Sequence, residues 1–187
     1  MTRLVGLRAT PHSRPMPSDL RIDIPLHGEA ATTALAAALA PLLRPGDVIA
    51  LSGEIGAGKS HFARALIRAR LPESDRALDI PSPTFTLVQT YDASGLEIWH
   101  SDLYRLTHAD EVLELGLDEA FGTALCLIEW PDRLGADLPA TALHLLLSPG
   151  ATDQDRVASL RAHGGDWSAR IGPALSLAAR DAVRCTP

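Results

Sequence analysis

The sequence contains no asparagine, and lysine occurs once, as Lys59, among 17 basic residues. Alanine is abundant, so a compositional bias accounts for the arginine excess. Against that bias, a lone lysine marks chemistry that arginine cannot supply. An ammonium is a compact, mobile point charge, whereas a guanidinium is a rigid planar fork. Cysteine is equally scarce. Cys126 and Cys185 are too few for a disulfide framework, and Cys126 in the apolar run 124–128 reads as a buried structural thiol. No apolar stretch approaches the roughly 18–20 residues of a membrane span. Residues 1–20 carry arginines and prolines but no long apolar segment, which predicts a flexible leader rather than a secretory signal. A cytoplasmic protein with no membrane contact is expected. A basic excess is missing too. With 23 acidic residues the net charge is −6, which argues against a general nucleic-acid binder but leaves room for a local basic patch.

What is present is ordinary for a globular chain: 187 residues, 46% hydrophobic and 21% charged. At roughly 100–200 residues per domain, that suggests one domain with its own core. The Ala/Leu-rich stretch 29–43 favours a helix, with Pro41 near its end. The segment 47–51 reads as a short buried strand, and 59–71 as an amphipathic helix closed by Pro72. Segments 85–91 and 96–100 are strand-like around Asp92-Ala93-Ser94-Gly95, the signature of a hairpin. A short acidic helix is expected over 109–117, and an apolar strand over 124–129. Further strands are expected over 141–147 and 156–161. A terminal helix is expected over 167–180, weakened by Pro173. This order predicts an α/β fold: a single domain with a mixed parallel/antiparallel sheet flanked by helices. The expected boundaries are a leader at 1–20, the main domain at 21–165, and a C-terminal helix and tail at 166–187.

Between the strand at 47–51 and its helix lies Gly53-Glu54-Ile55-Gly56-Ala57-Gly58-Lys59-Ser60. It satisfies the full pattern of a phosphate-binding loop in its required strand–loop–helix context. Glycines let the backbone curl so that successive N–H groups face a phosphate, and the helix N-terminus adds positive dipole. Lys59 supplies a mobile ammonium for the terminal phosphates, and Ser60 a hydroxyl for Mg²⁺. The lone lysine therefore stands in the one motif that demands lysine.

Three other segments narrow the class. In Pro81-Ser82-Pro83-Thr84-Phe85-Thr86-Leu87, two prolines fix an extended loop. Its hydroxyls either face a γ-phosphate, metal or water, or close a local turn. In His100-Ser101-Asp102-Leu103-Tyr104-Arg105-Leu106, Asp102 is placed to orient an attacking water or hold a metal-bound one. His100 and Tyr104 read as structural there. In Leu125-Cys126-Leu127-Ile128-Glu129-Trp130-Pro131, an apolar strand ends in a carboxylate, the Walker B pattern for Mg²⁺. Trp130 either closes the site or packs. The absence of asparagine removes the usual Asn-Lys-x-Asp guanine reader, and no Leu-Ser-Gly-Gly-Gln signature is present. A small-molecule kinase and a nucleotide-gated binding module remain as alternatives.

These four motifs, in this order, resemble the TsaE (YjeE) family of bacterial P-loop ATPases over about residues 22–160. The resemblance implies ATP hydrolysis with Mg²⁺ in the formation of threonylcarbamoyladenosine on tRNA. It implies action on a TsaD–TsaB complex, with tRNA met indirectly through that complex. By motif position it implies that residues Gly53, Glu54, Ile55, Gly56, Ala57, Gly58, Lys59 and Ser60 bind the phosphates. Ser60 and Glu129 would hold Mg²⁺, and Asp102 would be the catalytic carboxylate. Thr84 would belong to a switch-like loop, and the region around Glu29 and the segment 154–156 that starts at Gln154 would lie on the adenine side, in a P-loop NTPase-like ATPase domain at 21–165. A serine at position 60, where threonine is commoner, keeps the hydroxyl.

Overall fold

The computed structural model describes residues 19–106, 111 and 114–184. Seven strands form one sheet: β1 (Leu20–His27), β2 (Val48–Ser52), β3 (Val88–Asp92), β4 (Glu97–Asp102), β5 (Leu125–Glu129), β6 (Leu143–Pro149) and β7 (Asp155–Ala162). Their spatial order is β1-β7-β6-β2-β5-β4-β3. The four central strands β6, β2, β5 and β4 run parallel, while β1, β7 and β3 join antiparallel. The mixed α/β fold is thus the one expected.

Parallel strands are buried on both faces and read as unbroken apolar runs. In β5, Leu125 and Leu127 pack on one face while Cys126 and Ile128 pack on the other, all fully buried. The first face is covered by α1 (Gly28–Leu39), α2 (Lys59–Arg70) and α4 (Trp167–Arg184), through Leu35, Leu39, Phe62, Leu66, Ile171 and Leu175. The second is covered by α3 (Leu117–Thr123) and the segments that pack beside it. In α2 the buried apolar residues are Phe62, Ala63, Leu66 and Ile67, two pairs spaced by four. That spacing keeps them on one stripe, with the arginines outside.

The boundaries differ from expectation where backbone chemistry intervenes. The first helix stops at Leu39 and tightens into a 3₁₀ turn over Ala40–Leu42, since Pro41 has no N–H to continue it. β3 starts at Val88 rather than at 85, because residues 84–87 form a turn closed by Leu87 N–H donating to Pro83 O at 2.7 Å. β1 is a strand that the sequence reading did not place, and its first residue, Leu20, lies in the expected leader. Residues 1–18 of that leader are outside the described residues. Of the acidic helix expected at 109–117, residues 109, 110, 112 and 113 are outside the described residues, 114–116 form a turn rather than helix, and α3 begins at Leu117, the last residue of the expected range. α4 runs through Pro173 without breaking at Arg180. It is anchored by Arg170, whose Nη2 donates to Asp47 Oδ1 at 2.8 Å and whose guanidinium lies 4.4 Å from the Trp167 ring.

The parallel strands end on one edge of the sheet. In α/β folds that edge is where ligands bind. β2 runs there into the glycine loop, β4 delivers Asp102 and β5 delivers Glu129, with Asp102 opposite Glu129 and Leu51 opposite Glu129 in register.

Candidate nucleotide-binding site

The loop that follows β2 requires glycine by geometry. Gly53, Gly56 and Gly58 have φ of +138°, +80° and +104°, a region that side chains disfavour. Gly53 is the most constrained: a Cβ there would lie 2.4 Å from the carbonyl oxygen of Leu147. Loop backbone and β6 therefore touch directly, while Glu54, Ile55 and Gly56 at the tip of the loop are exposed.

Lys59 begins α2 and is only 5% exposed. Its Nζ donates to the carbonyls of Gly53 at 2.8 Å and Glu54 at 2.9 Å, and sits 4.0 Å from the centre of the Trp130 ring. Burial lowers its pKa from the usual lysine value, while the charges of Glu129 and Asp102 pull it back up. The ammonium is thus held ready inside the loop, on carbonyls it can exchange for phosphate oxygens. Trp130, with φ +60°, carries its ring beneath Lys59 and against Tyr104, whose ring centre is 4.9 Å away.

Ser60 Oγ donates to Glu129 Oε2 at 2.8 Å. Glu129 is 2% exposed, and its other oxygen, Oε1, lies 2.9 Å from Nε2 of the fully buried His100. On the neighbouring strand, Asp102 Oδ2 accepts from Thr84 Oγ1 at 2.7 Å, and Oδ1 accepts from the backbone N–H of Tyr104 at 3.1 Å. Thr84 is itself 3.0 Å from the Ser82 hydroxyl. The structure thus brings Lys59, Ser60, Thr84, Asp102 and Glu129 to one end of the sheet, although they come from three separate motifs and the loop.

A hydroxyl and a carboxylate, both hard oxygen donors, suit Mg²⁺, and the glycine cradle suits phosphate. Among the described residues no group of three or more His, Cys, Asp or Glu side chains could hold a metal unaided. Ser60 and Glu129 would therefore supply two donors, and phosphate and water the rest, as Mg²⁺ commonly requires.

The two outlying positions fare differently. A cleft of about 290 Å³ runs beside the loop, lined by Glu54, Ile55, Gly56 and Ala57, the turn 149–153 and Arg156. Glu29 and Gln154 are both exposed and neither lines it. The pairing of His27 with Asp155 brings their segments near one another, but it is Arg156 that faces the loop, its Nη2 donating to Gly56 O at 3.4 Å. Two residues gain roles that spacing alone does not assign: His100, expected to be structural, bonds Glu129, and the Trp130 ring, expected to close the site or to pack, lies beneath Lys59. A polar residue two positions before Asp102 on an otherwise apolar strand face was the signal for the first. The position directly after Glu129 was the signal for the second.

A family profile described as threonylcarbamoyl adenosine biosynthesis protein TsaE matches residues 26–157. Among curated relatives, the Rickettsia conorii tRNA threonylcarbamoyladenosine biosynthesis protein TsaE is 46% identical over 107 residues, 57% of this chain and 59% of the relative. The protein of that name from Bacillus subtilis is 34% identical over 127 residues, 67% of this chain and 77% of the relative. The matched segment thus spans less than two thirds of the Rickettsia conorii protein. The crystal structure of YdiB from Bacillus subtilis superposes with a TM-score of 0.63 at 26% identity, covering 89% of this chain and 97% of that one. With the family profile spanning most of its length, this chain belongs to the TsaE family of threonylcarbamoyl adenosine biosynthesis proteins.

Proposed function

We propose that the protein is a Mg²⁺-dependent ATPase that supports threonylcarbamoyladenosine formation on tRNA by acting on a TsaD–TsaB complex in the cytoplasm. The observation that carries the ATPase reading is the 2.8 Å bond from Ser60 Oγ to Glu129 Oε2. It joins the start of the helix after the glycine loop to the end of β5, 69 residues apart, as a shared Mg²⁺ site requires.

In this reading, the glycine loop presents its N–H groups to the β- and γ-phosphates. Lys59 leaves the carbonyls of Gly53 and Glu54 and places its ammonium on the same oxygens. Ser60 and Glu129 would hold Mg²⁺, which would supply charge neutralisation at the phosphates. Asp102 orients the water that attacks the γ-phosphate, and Thr84 fixes the carboxylate that does so. Arg156 reaches the loop at Gly56 O, but neither it nor Arg105 is free to act as a finger. Arg105 stacks on Phe85, 5.4 Å from its ring centre, and Arg156 is held by the backbone of residues 153 and 155. Turnover by the protein alone is therefore slow, and a partner completes the site.

The family's role in threonylcarbamoyl adenosine biosynthesis is consistent with this reading, and the net charge of −6 favours work through a protein partner over independent tRNA binding. The test is the ATPase rate with and without TsaD–TsaB, together with gel filtration of the mixture. A higher rate and a co-eluting complex are expected. Equal rates with no complex overturn the partner assignment, and no hydrolysis in either case overturns the ATPase. Reconstituted tRNA modification followed past one turnover then reads the role in the pathway.

A further inference from the structure

His100 lies in the middle of β4, opposite Leu127 of β5. Side chains two apart on a strand share a face. His100 and Asp102 therefore project from the same side of the sheet as Leu127 and Glu129, toward the N-terminal end of α2. His100 is 0% exposed, and its Nε2 lies 2.9 Å from Glu129 Oε1. Glu129 as a carboxylate can only accept, so Nε2 carries the proton and donates. The carboxylate is thus gripped from both ends, by His100 on Oε1 and by Ser60 on Oε2.

The other ring nitrogen identifies the purpose of the residue. Among the described residues, His100 Nδ1 is buried and has no hydrogen-bond partner. Leaving a buried polar atom unpaired costs free energy, and a leucine of similar size would fill this space without that cost. What the imidazole supplies and leucine does not is the Nε2–H directed at Glu129. Carboxylates that ligate metals are regularly oriented in this way by a buried donor.

We infer that His100 is a positioning residue that holds the Glu129 carboxylate edge-on to Ser60, so that Oε2 is presented to a divalent cation; this rests on the reading of Ser60 and Glu129 as the cation-binding pair. His100 touches neither nucleotide nor the attacking water. Its removal lets Glu129 rotate, weakening cation capture while the phosphate cradle stays intact.

The experiment measures Mn²⁺ binding by electron paramagnetic resonance, using the full chain and a non-hydrolysable ATP analogue. The variants are H100L, H100N and H100Q, with analogue affinity in EDTA measured alongside. The glutamine amide reaches the place of Nε2, whereas the asparagine amide reaches only that of Nδ1. H100L and H100N are expected to weaken Mn²⁺ binding roughly 10–100-fold, as loss of such donors does elsewhere. H100Q is expected to stay near wild type, and all four proteins to bind the analogue equally in EDTA. Wild-type Mn²⁺ affinity in H100N or H100L, or a loss in H100Q equal to that in H100N, overturns the role of the donor. The comparison of H100Q with H100N carries the test if H100L does not fold. A wild-type protein that binds the analogue but no Mn²⁺ overturns both this role and the cation site itself. One that binds no analogue in EDTA overturns the nucleotide reading and this inference with it.

Discussion

The Thr84 hydroxyl donates to Asp102 Oδ2 at 2.7 Å, tying a proline-bounded loop to the carboxylate at the end of β4. The second Asp102 oxygen is taken by the N–H of Tyr104, so the side chain has little rotational freedom. Position of the carboxylate and position of the loop are one variable.

Replacing Asp102 should therefore separate hydrolysis from binding. D102A is expected to lower ATP turnover roughly 100-fold or more, the usual range for a lost acid–base group. Affinity for ATP should be unchanged, since Asp102 is not part of the glycine cradle. Single-turnover hydrolysis beside calorimetric binding checks both. T84V should have a smaller effect in the same direction, about tenfold, because it removes one bond to a charged acceptor.

Lys59 should act on binding itself. K59A removes the ammonium that the loop carbonyls hold at 2.8 and 2.9 Å. A hydrogen bond to a charged group is worth about 1.5–3 kcal/mol, which corresponds to about 10–100-fold in ATP affinity. Calorimetric titration with ATP reads it. K59R should fail to rescue, since a planar fork does not fit the buried slot above Trp130.

Gly53 should be intolerant of any side chain. G53A drives a methyl group against the Leu147 carbonyl at a φ of +138°. Strained backbone of this kind costs about 1–3 kcal/mol, before the collision is counted. Thermal melting should shift downward, whereas G122A, where an added Cβ meets nothing within 4 Å, should melt close to wild type.

Cys126 gives a pH prediction. It is fully buried in β5, and burial, helped by the charge of Glu97, pushes the thiol from its ordinary value of 9.0 up to about 12. The unfolded thiol ionises first, so the native state binds the proton more tightly. Its contribution to stability is complete below pH 9 and falls away as pH rises through about 12. At pH 8, iodoacetamide followed by peptide mapping should leave Cys126 unmodified until denaturant is added.

The glycine loop, β2, α2 and the strand ending in Glu129 were legible because contiguous runs specify them. Each is a local pattern with a mechanical reason for its residues. β1 was not legible despite the alternation of Leu20, Ile22, Ile24 and Leu26. Pro25 interrupts it, and a proline is accepted only because β1 lies at the sheet edge, paired with β7 alone. Its partner β7 is more than a hundred residues away, and such pairing leaves no local trace. The same holds for the bond from His100 to Glu129. Spacing gave each carboxylate a role, but only the register of β4 on β5 shows which buried group restrains it.

β3 forms the opposite border of the sheet, bonded to β4 alone and without a fully buried residue of its own. The loop carrying Thr84 leads directly into it. Displacing that loop therefore breaks the Thr84–Asp102 bond and a few hydrogen bonds at this border, without unpairing β2 from β5. In hydrogen exchange, the amides of residues 88–92 should trade their protons through shallow local openings, and those of residues 48–52 only when the whole domain unfolds. A segment anchored in that way can be drawn toward a nucleotide, or released from it, at an energy well below that of unfolding.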